Sequence, residues 1–330
     1  MDIVNDIQPV KTLRANCFYQ ALFPAFCYYG KDFSSLIINS FYTFRYDDVT
    51  HRLTLEMHKC LPDDILFKSS GIQLMKKKID SDFIEIICNF LADGKLVIVP
   101  VDMFELPNSN STFQKIHSKH GVLVYGYNLE RKVFYILDHD YINDYHYIKQ
   151  CIGFDNLNNA YVSFIRQYHN TDGIDVIEGF NEKNSRLAEK FLALYQKKVL
   201  QSTILTDSIK NLKDYANIMN NHCGDEHLML SLSGYGYNAF NGIINQRHLE
   251  YYYANEYLIE KAEICKKVEK IIESYNYIRA IMYKTNITKI IREKTYINCC
   301  KTLDIVIQLE SEYCKLMLNY MVPENLRANI

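Results

Sequence analysis

The sequence predicts an α+β fold in which N-terminal helices and an antiparallel sheet are followed by an all-α region. Aromatic segments near the start have helical spacing, and short Val/Ile/Tyr/Phe-rich segments cluster between residues 95 and 168. Beyond them, long segments repeat apolar residues with a helical period and carry Lys and Glu on the other face. A chain of 330 residues has room for two domains, which we place at 1–175 and 176–330.

The N-terminal half contains the predicted helices and strands of the mixed domain. Helices are predicted over 17–29, 34–44 and 81–92, the last with Ser81 as its N-cap and Gly94 just beyond its end. Segments bounded by Gly, Asn, Asp or Pro and rich in β-formers predict strands over 96–102, 120–127, 132–138 and 160–168. These strands form the predicted sheet.

The C-terminal half is predicted to be helical. Apolar periodicity of 3.6 residues favours helices over 182–198, 202–221, 246–285 and 297–321. The glycine cluster SGYGYNAFNG at 233–242 predicts a loop between two of them.

Composition excludes several classes of protein and partner. With 48% hydrophobic and 23% charged residues, the chain is neither disordered nor a collagen-like or coiled-coil rod. Its 37 Lys and Arg against 39 Asp and Glu provide no cationic surplus for nucleic acid or an anionic membrane, so neither is an expected partner. No Gly-rich phosphate loop is present, which disfavours nucleotide use.

The expected location is the cytoplasm. The segment MDIVNDIQPVKTLR lacks the apolar core of a signal peptide, and the apolar run at 96–101 is far shorter than the ~20 residues that span a bilayer. Ten cysteines without CxxC spacing are expected to be free thiols in a reducing compartment.

Cys17 is the candidate nucleophile. It follows Asn16, a possible N-cap, in the sequence RANCFYQALF, so its thiol is predicted at a helix N-terminus. Free backbone N–H groups and the helix dipole lower the pKa of a thiol placed there. The alternative is that Cys17 is an ordinary small buried residue.

His120 and Asp138 are the candidate base and its partner, because a predicted hairpin connects them. A three-residue loop at 128–130 pairs Tyr127 with Arg131 and His120 with Asp138, whereas a four-residue loop pairs His120 with His139. In the first register the carboxylate accepts from the imidazole Nδ1–H and leaves Nε2 to take the thiol proton. The chain order is then nucleophile, base and orienting acid.

Several segments carry a resemblance to a known family: ANCFYQALF, YYGKDFSS, GKLVIVPVDMFELPNSN and HSKHGVLVYGYNLERKVFYILD. The order Cys, His, Asp resembles papain-like cysteine enzymes. These segments, which lie within residues 10 to 165, resemble more closely the family typified by the N-terminal domain of butirosin biosynthesis protein H.

The resemblance implies a papain-like fold that performs acyl transfer instead of proteolysis, in the biosynthesis of peptide-like natural products. Cys17 would take an acyl group from a phosphopantetheine thioester on an acyl or peptidyl carrier protein and pass it to a small amine. His120 would be the base and Asp138 its orienting group. The enzyme would need no cofactor of its own, and the helical domain would cover the acyl site.

The sequence departs from papain-like proteases at the oxyanion hole. Those enzymes place a Gln a few residues before the Cys, where this chain has Lys11. Gln8 and Asn16 are the candidates that could act with the Cys17 backbone N–H as oxyanion donors.

Two other functions use the same residues. A cysteine peptidase or amidase would have the same triad but admit water to the acyl-enzyme. A catalytically inactive binding module is the third interpretation, which a buried Cys17 unpaired with His120 would favour.

Metal binding and a basic docking site are further alternatives. His117 and His120 have HxxH spacing and His139 follows, although no CxxC accompanies them. The sequence NHCGDEH at 221–227 reads more simply as a helix end, Gly224, and a new N-cap, Asp225. The Lys run at 76–78 could meet an acidic carrier protein, but such a run is more often a solvated turn.

Overall fold

The structure, a computed structural model, describes residues 2–10, 15–79, 82–109, 112–141, 147–169, 173–180, 204–258 and 261–321. The chain forms two compact units. The first comprises Met1–Phe33 and Pro62–Ala188, and the second comprises Ser34–Leu61 and Glu189–Ile330. The predicted α+β class is confirmed, with an antiparallel sheet and a helical C-terminal region.

The first unit contains seven strands and four helices among its described residues. The strands are β1 (Asp2–Val4), β4 (Ile72–Lys77), β5 (Leu96–Asp102), β6 (Lys119–Asn128), β7 (Val133–His139), β8 (Tyr147–Gly153) and β9 (Ile174–Gly179). The helices are α1 (Cys17–Tyr28), α3 (Asp63–Ser69), α4 (Phe83–Ala92) and α5 (Phe154–Tyr168).

One antiparallel sheet organises this unit. Its strand order is β4-β9-β5-β6-β7-β8, and β1 pairs with the end of β6. Strand β5 is buried along most of its length: Val97 and Val99 pack with α4 and α5, while Ile98, on the opposite face, is also buried. Helix α1 packs against β5 and β6. The sheet is therefore covered on both faces, which explains the continuous apolar run of β5.

The second unit combines a hairpin with long helices. Its described elements are α2 (Ser34–Asn39), β2 (Ser40–Asp47), β3 (Arg52–Lys59), α6 (Ile204–Asn221), α7 (Glu226–Tyr257), α8 (Lys261–Thr288) and α9 (Glu293–Met321). The buried face of the hairpin, including Phe44 and Leu53, joins the helical core. Helix α6 also binds the hairpin backbone, because Ser208 Oγ accepts from Phe44 N–H at 2.8 Å.

A buried ion pair connects two of these helices. Arg247 of α7 donates to both carboxylate oxygens of Glu310 of α9, at 3.1 Å from Nε and 2.6 Å from Nη2. Arg247 also donates to Glu250, one turn away. Two hydrogen bonds of fixed geometry set the register between the helices more strictly than apolar contacts do.

The division of the chain differs from the predicted boundary at residue 175. Residues 34–61 belong to the helical unit because Phe44 and Leu53 bury their side chains among its helices. The first unit also extends past residue 175, because β9 is inserted between β4 and β5.

Two predicted elements in the first half are wrong. Residues 160–168 belong to helix α5, whose buried residues Leu157, Ala160, Tyr161 and Phe164 follow a helical period beneath the β-forming composition. The helix predicted over 34–44 ends at Asn39, where β2 begins and gains its hydrogen bonds from β3.

The predicted loop at 233–242 is also wrong, because this segment lies inside helix α7. Gly236 is there for close packing: a Cβ would lie 2.3 Å from Tyr215 Oη and 2.7 Å from Met282 Sδ. The predicted single helix over 246–285 is two helices, α7 and α8.

Other predicted elements agree with the structure. The strands over 96–102, 120–127 and 132–138 and the helices over 17–29, 81–92, 202–221 and 297–321 are present within a few residues of their predicted ends. Gly94 follows α4 with φ of +75°. The helix predicted over 182–198 and the Ser81 cap lie outside the described residues. No helix in the described part of the chain is long and apolar enough to cross a membrane.

Candidate active site

Cys17 is the first residue of helix α1. The Asn16 side chain caps this helix, since its Oδ1 accepts from the Tyr19 N–H at 3.0 Å. The Cys17 thiol is partly exposed at the N-terminus, where the backbone N–H groups of the first turn converge. The sequence therefore correctly predicted the helix start that positions this thiol.

The surroundings of Cys17 favour its thiolate. Burial raises the pKa of the thiol, but a hydrogen bond from His120 and its positive charge lower it more. The backbone N–H groups of Phe18 and Gly121 lower the pKa of the thiol further. The net pKa of Cys17 lies below the usual value of 9.0, so the thiol is prepared for nucleophilic attack.

Strands β6 and β7 bring His120 and Asp138 together in a register that neither predicted loop produces. The turn spans residues 129–132, and Tyr127 pairs with Phe134 instead of Arg131. Continued without change, this register would turn Asp138 away from His120. A β-bulge between Val124 and Gly126 shifts the pairing by one residue.

The bulge returns the Asp138 side chain to the face of the sheet that carries His120. Beyond it Leu123 pairs with Leu137, so Asp138 is one step further, opposite Val122 and diagonal to His120 on the same face. The predicted direct pairing of His120 with Asp138 is wrong, but their side chains meet. His120 Nε2 lies 2.7 Å from Asp138 Oδ1, and both side chains are buried.

The two imidazole nitrogens have exchanged their expected roles. Nε2 binds Asp138, which leaves Nδ1 as the nitrogen that can act on Cys17. The expectation that Nδ1 would bind Asp138 is therefore wrong. Cys17, at the start of α1, comes near His120 because α1 packs against β6, in which His120 is the second residue.

Asp138 stabilises the protonated form of His120. Burial alone would lower the pKa of this imidazole, but the charge and hydrogen bond of Asp138, together with Cys17, raise it to about 9. Asp138 Oδ1 also accepts from the His139 N–H at 2.7 Å and from Tyr141 Oη at 3.1 Å. These donors hold the carboxylate in place beside the imidazole. The lowered pKa of Cys17 and the raised pKa of His120 both favour the thiolate–imidazolium form of the pair.

The sequence did not indicate the roles of Gly121 and Tyr147 beside Cys17. The Gly121 N–H lowers the pKa of Cys17, and the Gly121 carbonyl oxygen accepts from Tyr147 Oη. The Cys17 carbonyl oxygen lies 3.1 Å from the same hydroxyl. Tyr147 begins strand β8, and neither its role nor that of Gly121 has a local sequence signal.

His139 packs against the candidate base. Its ring centroid lies 4.6 Å from that of His120. Burial and then the positive charge of His120 lower the pKa of His139 to about 3. His139 is thus neutral beside the imidazolium, and its ring excludes water from that side.

The structure places the two candidate oxyanion residues in other hydrogen bonds. Gln8 is exposed, and its Nε2 donates to Asp6 Oδ1 at 2.9 Å. The carbonyl oxygen of the Asn16 side chain caps α1. The Cys17 backbone N–H, in the first turn of α1, has the orientation that a helix N-terminus offers to an anion.

Among the described residues, one set of three could hold a metal ion. The ligand atoms of His120, Asp138 and His139 lie within 4.8 Å of one another. The 2.7 Å hydrogen bond between His120 Nε2 and Asp138 Oδ1 already uses the two atoms that an ion would need. His117 lies elsewhere, with its Nδ1 2.6 Å from Asp102 Oδ2. These residues therefore fit an acid–base pair better than a zinc site.

Asp102 and His117 form a second His–Asp pair. Asp102 is fully buried and also accepts from Ser163 Oγ at 2.8 Å and from the backbone N–H groups of Phe104 and Ser118. These four bonds tie the loop between β5 and β6 to helix α5. Asp102 thereby fixes the segment that leads into His120.

The segments at 221–227 and 76–78 have structural explanations. Helix α6 ends at Asn221, and Asp225 caps α7 by accepting from the Leu228 N–H at 3.0 Å, as predicted. Lys76 and Lys77 lie on β4, an edge strand of the sheet, where exposed lysines hinder pairing with another chain. Lys76 is also 3.4 Å from Asp175.

Comparison of the sequence with models of known protein families and with curated proteins finds no significant match.

Proposed function

We propose that the protein is a papain-like cysteine acyltransferase in which Cys17 is the nucleophile, His120 the general acid and base, and Asp138 the group that orients His120. The observation that carries this proposal is the 2.7 Å hydrogen bond between buried His120 and Asp138, together with the effect of His120 on Cys17, which lowers the pKa of the thiol. The condition favouring an inactive module, a buried Cys17 unpaired with His120, is not met.

In the first step the Cys17 thiolate attacks the carbonyl carbon of an acyl thioester. The bond from Sγ to the acyl carbon forms, and the oxyanion is stabilised by backbone N–H groups at the start of α1. The bond to the donor sulfur then breaks, and His120 Nδ1–H protonates the leaving thiolate. Because a thiol is a good leaving group, this exchange needs little further assistance.

In the second step an amine attacks the acyl-enzyme. The carbon–nitrogen bond forms, His120 takes the amine proton, and Cys17 leaves as a thiolate beside the renewed imidazolium. The products are an amide and the resting enzyme. Transfer requires that the amine reach the acyl group before water does, which depends on positioning the amine and keeping the site dry.

The choice of transfer over hydrolysis is supported by the resemblance of residues 10–165 to the family of butirosin biosynthesis protein H. That resemblance also suggests a carrier-protein thioester as donor, with phosphopantetheine supplied by the carrier. A cysteine peptidase or amidase with the same residues is the outcome to be distinguished.

The test is intact-mass analysis of the protein with an S-acyl-N-acetylcysteamine thioester. We expect a single acyl adduct on Cys17, its absence in Cys17→Ala and nearly complete loss in His120→Ala. Asp138→Asn should slow adduct formation by roughly 10²- to 10⁴-fold, because the imidazolium loses its partner.

Cys27→Ala is the matched control. Cys27 lies in the same helix and is exposed as a residue. Partial desolvation of its thiol and then the charge of Asp32 raise its pKa, so Cys27 is not the expected nucleophile and Cys27→Ala should acylate normally. Amide in excess of free acid when a small amine is added supports transfer. Free acid with every amine, together with peptide cleavage, makes the protein a hydrolase, and absence of any adduct removes the enzymatic proposal.

A further inference from the structure

The ladder of the sheet is interrupted at Gly121, next to His120. On the β5 side Gly121 is opposite Pro100 in a non-hydrogen-bonded pair, so its N–H and carbonyl group point towards β7. On the other side the pairing of β6 with β7 ends at Leu123 and Leu137. A buried N–H and carbonyl without ladder partners must find other ones.

The Gly121 carbonyl oxygen finds its partner in Tyr147, since it accepts from Tyr147 Oη. The Gly121 N–H is near enough to Cys17 to lower the pKa of its thiol. The hydroxyl of Tyr147 also contacts the Cys17 carbonyl oxygen at 3.1 Å, so one phenol connects the first residue of α1 with the strand that carries His120. Tyr147 is buried, and its pKa lies well above 10 because of burial and then the negative charge of Cys17.

We propose that Tyr147 is a positioning residue whose hydroxyl holds the Cys17 sulfur in line with His120 Nδ1 and the Gly121 N–H. This inference deepens the proposed function, since it names a residue on which the reactive thiolate depends. Tyr147 acts through the two carbonyl groups that it holds and takes no part in the exchange of bonds.

The physical reason is that the phenol O–H bridges the two carbonyl groups. Without it, the buried Gly121 carbonyl oxygen loses its donor, and the Cys17 carbonyl oxygen, which also accepts within α1, loses its connection to β6. A small movement of α1 relative to β6 then takes the Cys17 sulfur away from His120 and the Gly121 N–H. A thiolate further from these groups has a higher pKa.

The experiment measures alkylation of Cys17 by iodoacetamide against pH, followed on the Cys17 peptide by mass spectrometry. For Tyr147→Phe we expect the midpoint of thiolate formation to rise by about one pH unit and the rate at pH 6.5 to fall about tenfold. Above pH 10, where the thiol ionises in any case, the rates should converge with those of the unchanged protein.

Tyr215→Phe is the matched control. Tyr215 is fully buried in the helical unit, and its hydroxyl donates to the Leu232 carbonyl oxygen at 2.9 Å. It should lose comparable thermal stability with no change in the pH profile. An unchanged midpoint in Tyr147→Phe, or an equal shift in Tyr215→Phe, would overturn the proposal. Because alkylation requires no acyl donor, the result is independent of whether acyl transfer occurs.

A second measurement avoids loss of the hydroxyl. 3-Fluorotyrosine placed at position 147 keeps the O–H and gives a ¹⁹F signal. We expect this signal to titrate together with the alkylation of Cys17 and to lose that titration in Cys17→Ala. A ¹⁹F signal that does not change as the Cys17 thiol ionises would contradict the proposal.

Discussion

The Cys17 thiol and the His120 imidazole determine each other's protonation. Burial disfavours the charged form of each group, but each group favours the charged form of the other: His120 lowers the pKa of Cys17, and Cys17 raises the pKa of His120. Asp138 shifts this protonation equilibrium, because its negative charge favours the imidazolium and hence the thiolate. The reactivity of the site therefore depends on pairs and not on single residues.

This coupling predicts how Cys17 alkylation depends on pH. In the unchanged protein the rate should rise with a midpoint below pH 9.0, because the pKa of Cys17 is lowered. His120→Gln removes the cation and leaves burial dominant, so the midpoint should move upward by about one pH unit or more. Rates on the Cys17 peptide, with Cys17→Ala as the blank, measure this, and coincident profiles would contradict the ion pair.

The lowered pKa of His139 predicts that the folded protein loses stability in acid. Its pKa is about 3 in the folded state, against 6.5 for an unperturbed histidine. Between these values the unfolded chain binds a proton that the folded chain does not, so stability falls as pH decreases from 6.5 towards 3. His139→Phe should reduce the stability lost between pH 7 and pH 4 by at most about 3 kcal/mol.

Urea denaturation of both proteins at the two pH values gives this difference. Equal losses in the variant and the unchanged protein would assign the acid sensitivity to other groups.

At the scale of elements, the bulge in β6 shows what the sequence could predict and where it could not. The residues of the hairpin were identifiable because His120 and Asp138 stand at the ends of two strand-like segments. The register was not, since turn length and an extra residue at Tyr125 change it in opposite ways and neither has a unique sequence signal.

Helices were misread where tertiary packing overrides local composition. The β-formers Tyr161, Val162 and Phe164 suggested a strand, but their neighbours at helical spacing pack on the sheet. The glycines of α7 suggested a loop, but Gly236 serves a close helix contact. The roles of Tyr147 and Gly121 depend on strands meeting across the fold, so no local pattern could have indicated them.

Gly126, beside the bulge, predicts a sharp steric effect. A Cβ there would lie 2.4 Å from the Ile3 carbonyl oxygen and 3.0 Å from Val4 Cα, both in the paired backbone of β1. Gly126→Ala should therefore displace β1 from β6 and lower the free energy of unfolding by about 1–3 kcal/mol.

Gly153→Ala is the control in the same unit, because its Cβ would meet Asn156 at an ordinary 3.5 Å. Because Gly153 is also the N-cap of α5, where alanine is less favourable than glycine, the substitution should cost no more than about 1 kcal/mol in the same denaturant titration. Equal effects of the two substitutions would show that β1 can move away from β6 without a loss of stability.

At the scale of the whole molecule, the two units are interleaved along the chain. The segment Ser34–Leu61 is inserted into the first unit but belongs to the second. Its ends lie close together, since the Cys60 N–H donates to the Asn39 carbonyl oxygen at 2.7 Å. This geometry allows a short linker to replace the segment.

Truncation tests this arrangement. A protein of residues 1–188 retains the hairpin but lacks the helices that bury Phe44 and Leu53, so it should expose apolar surface, bind a hydrophobic dye and aggregate. The same truncation with residues 34–61 replaced by a Gly/Ser linker should remain monomeric in size-exclusion chromatography. Identical behaviour of the two proteins would show that the hairpin does not need the helices.

The insertion also has a consequence for synthesis on the ribosome. Strand β3 ends at Lys59, but α7, against which the hairpin packs, spans Glu226–Tyr257 and is made much later. At ~5–20 residues per second, roughly 10 to 40 s pass before the hairpin can be buried. During that time the nascent chain presents Phe44 and Leu53 outside a growing first unit, which makes this hairpin a natural binding site for chaperones.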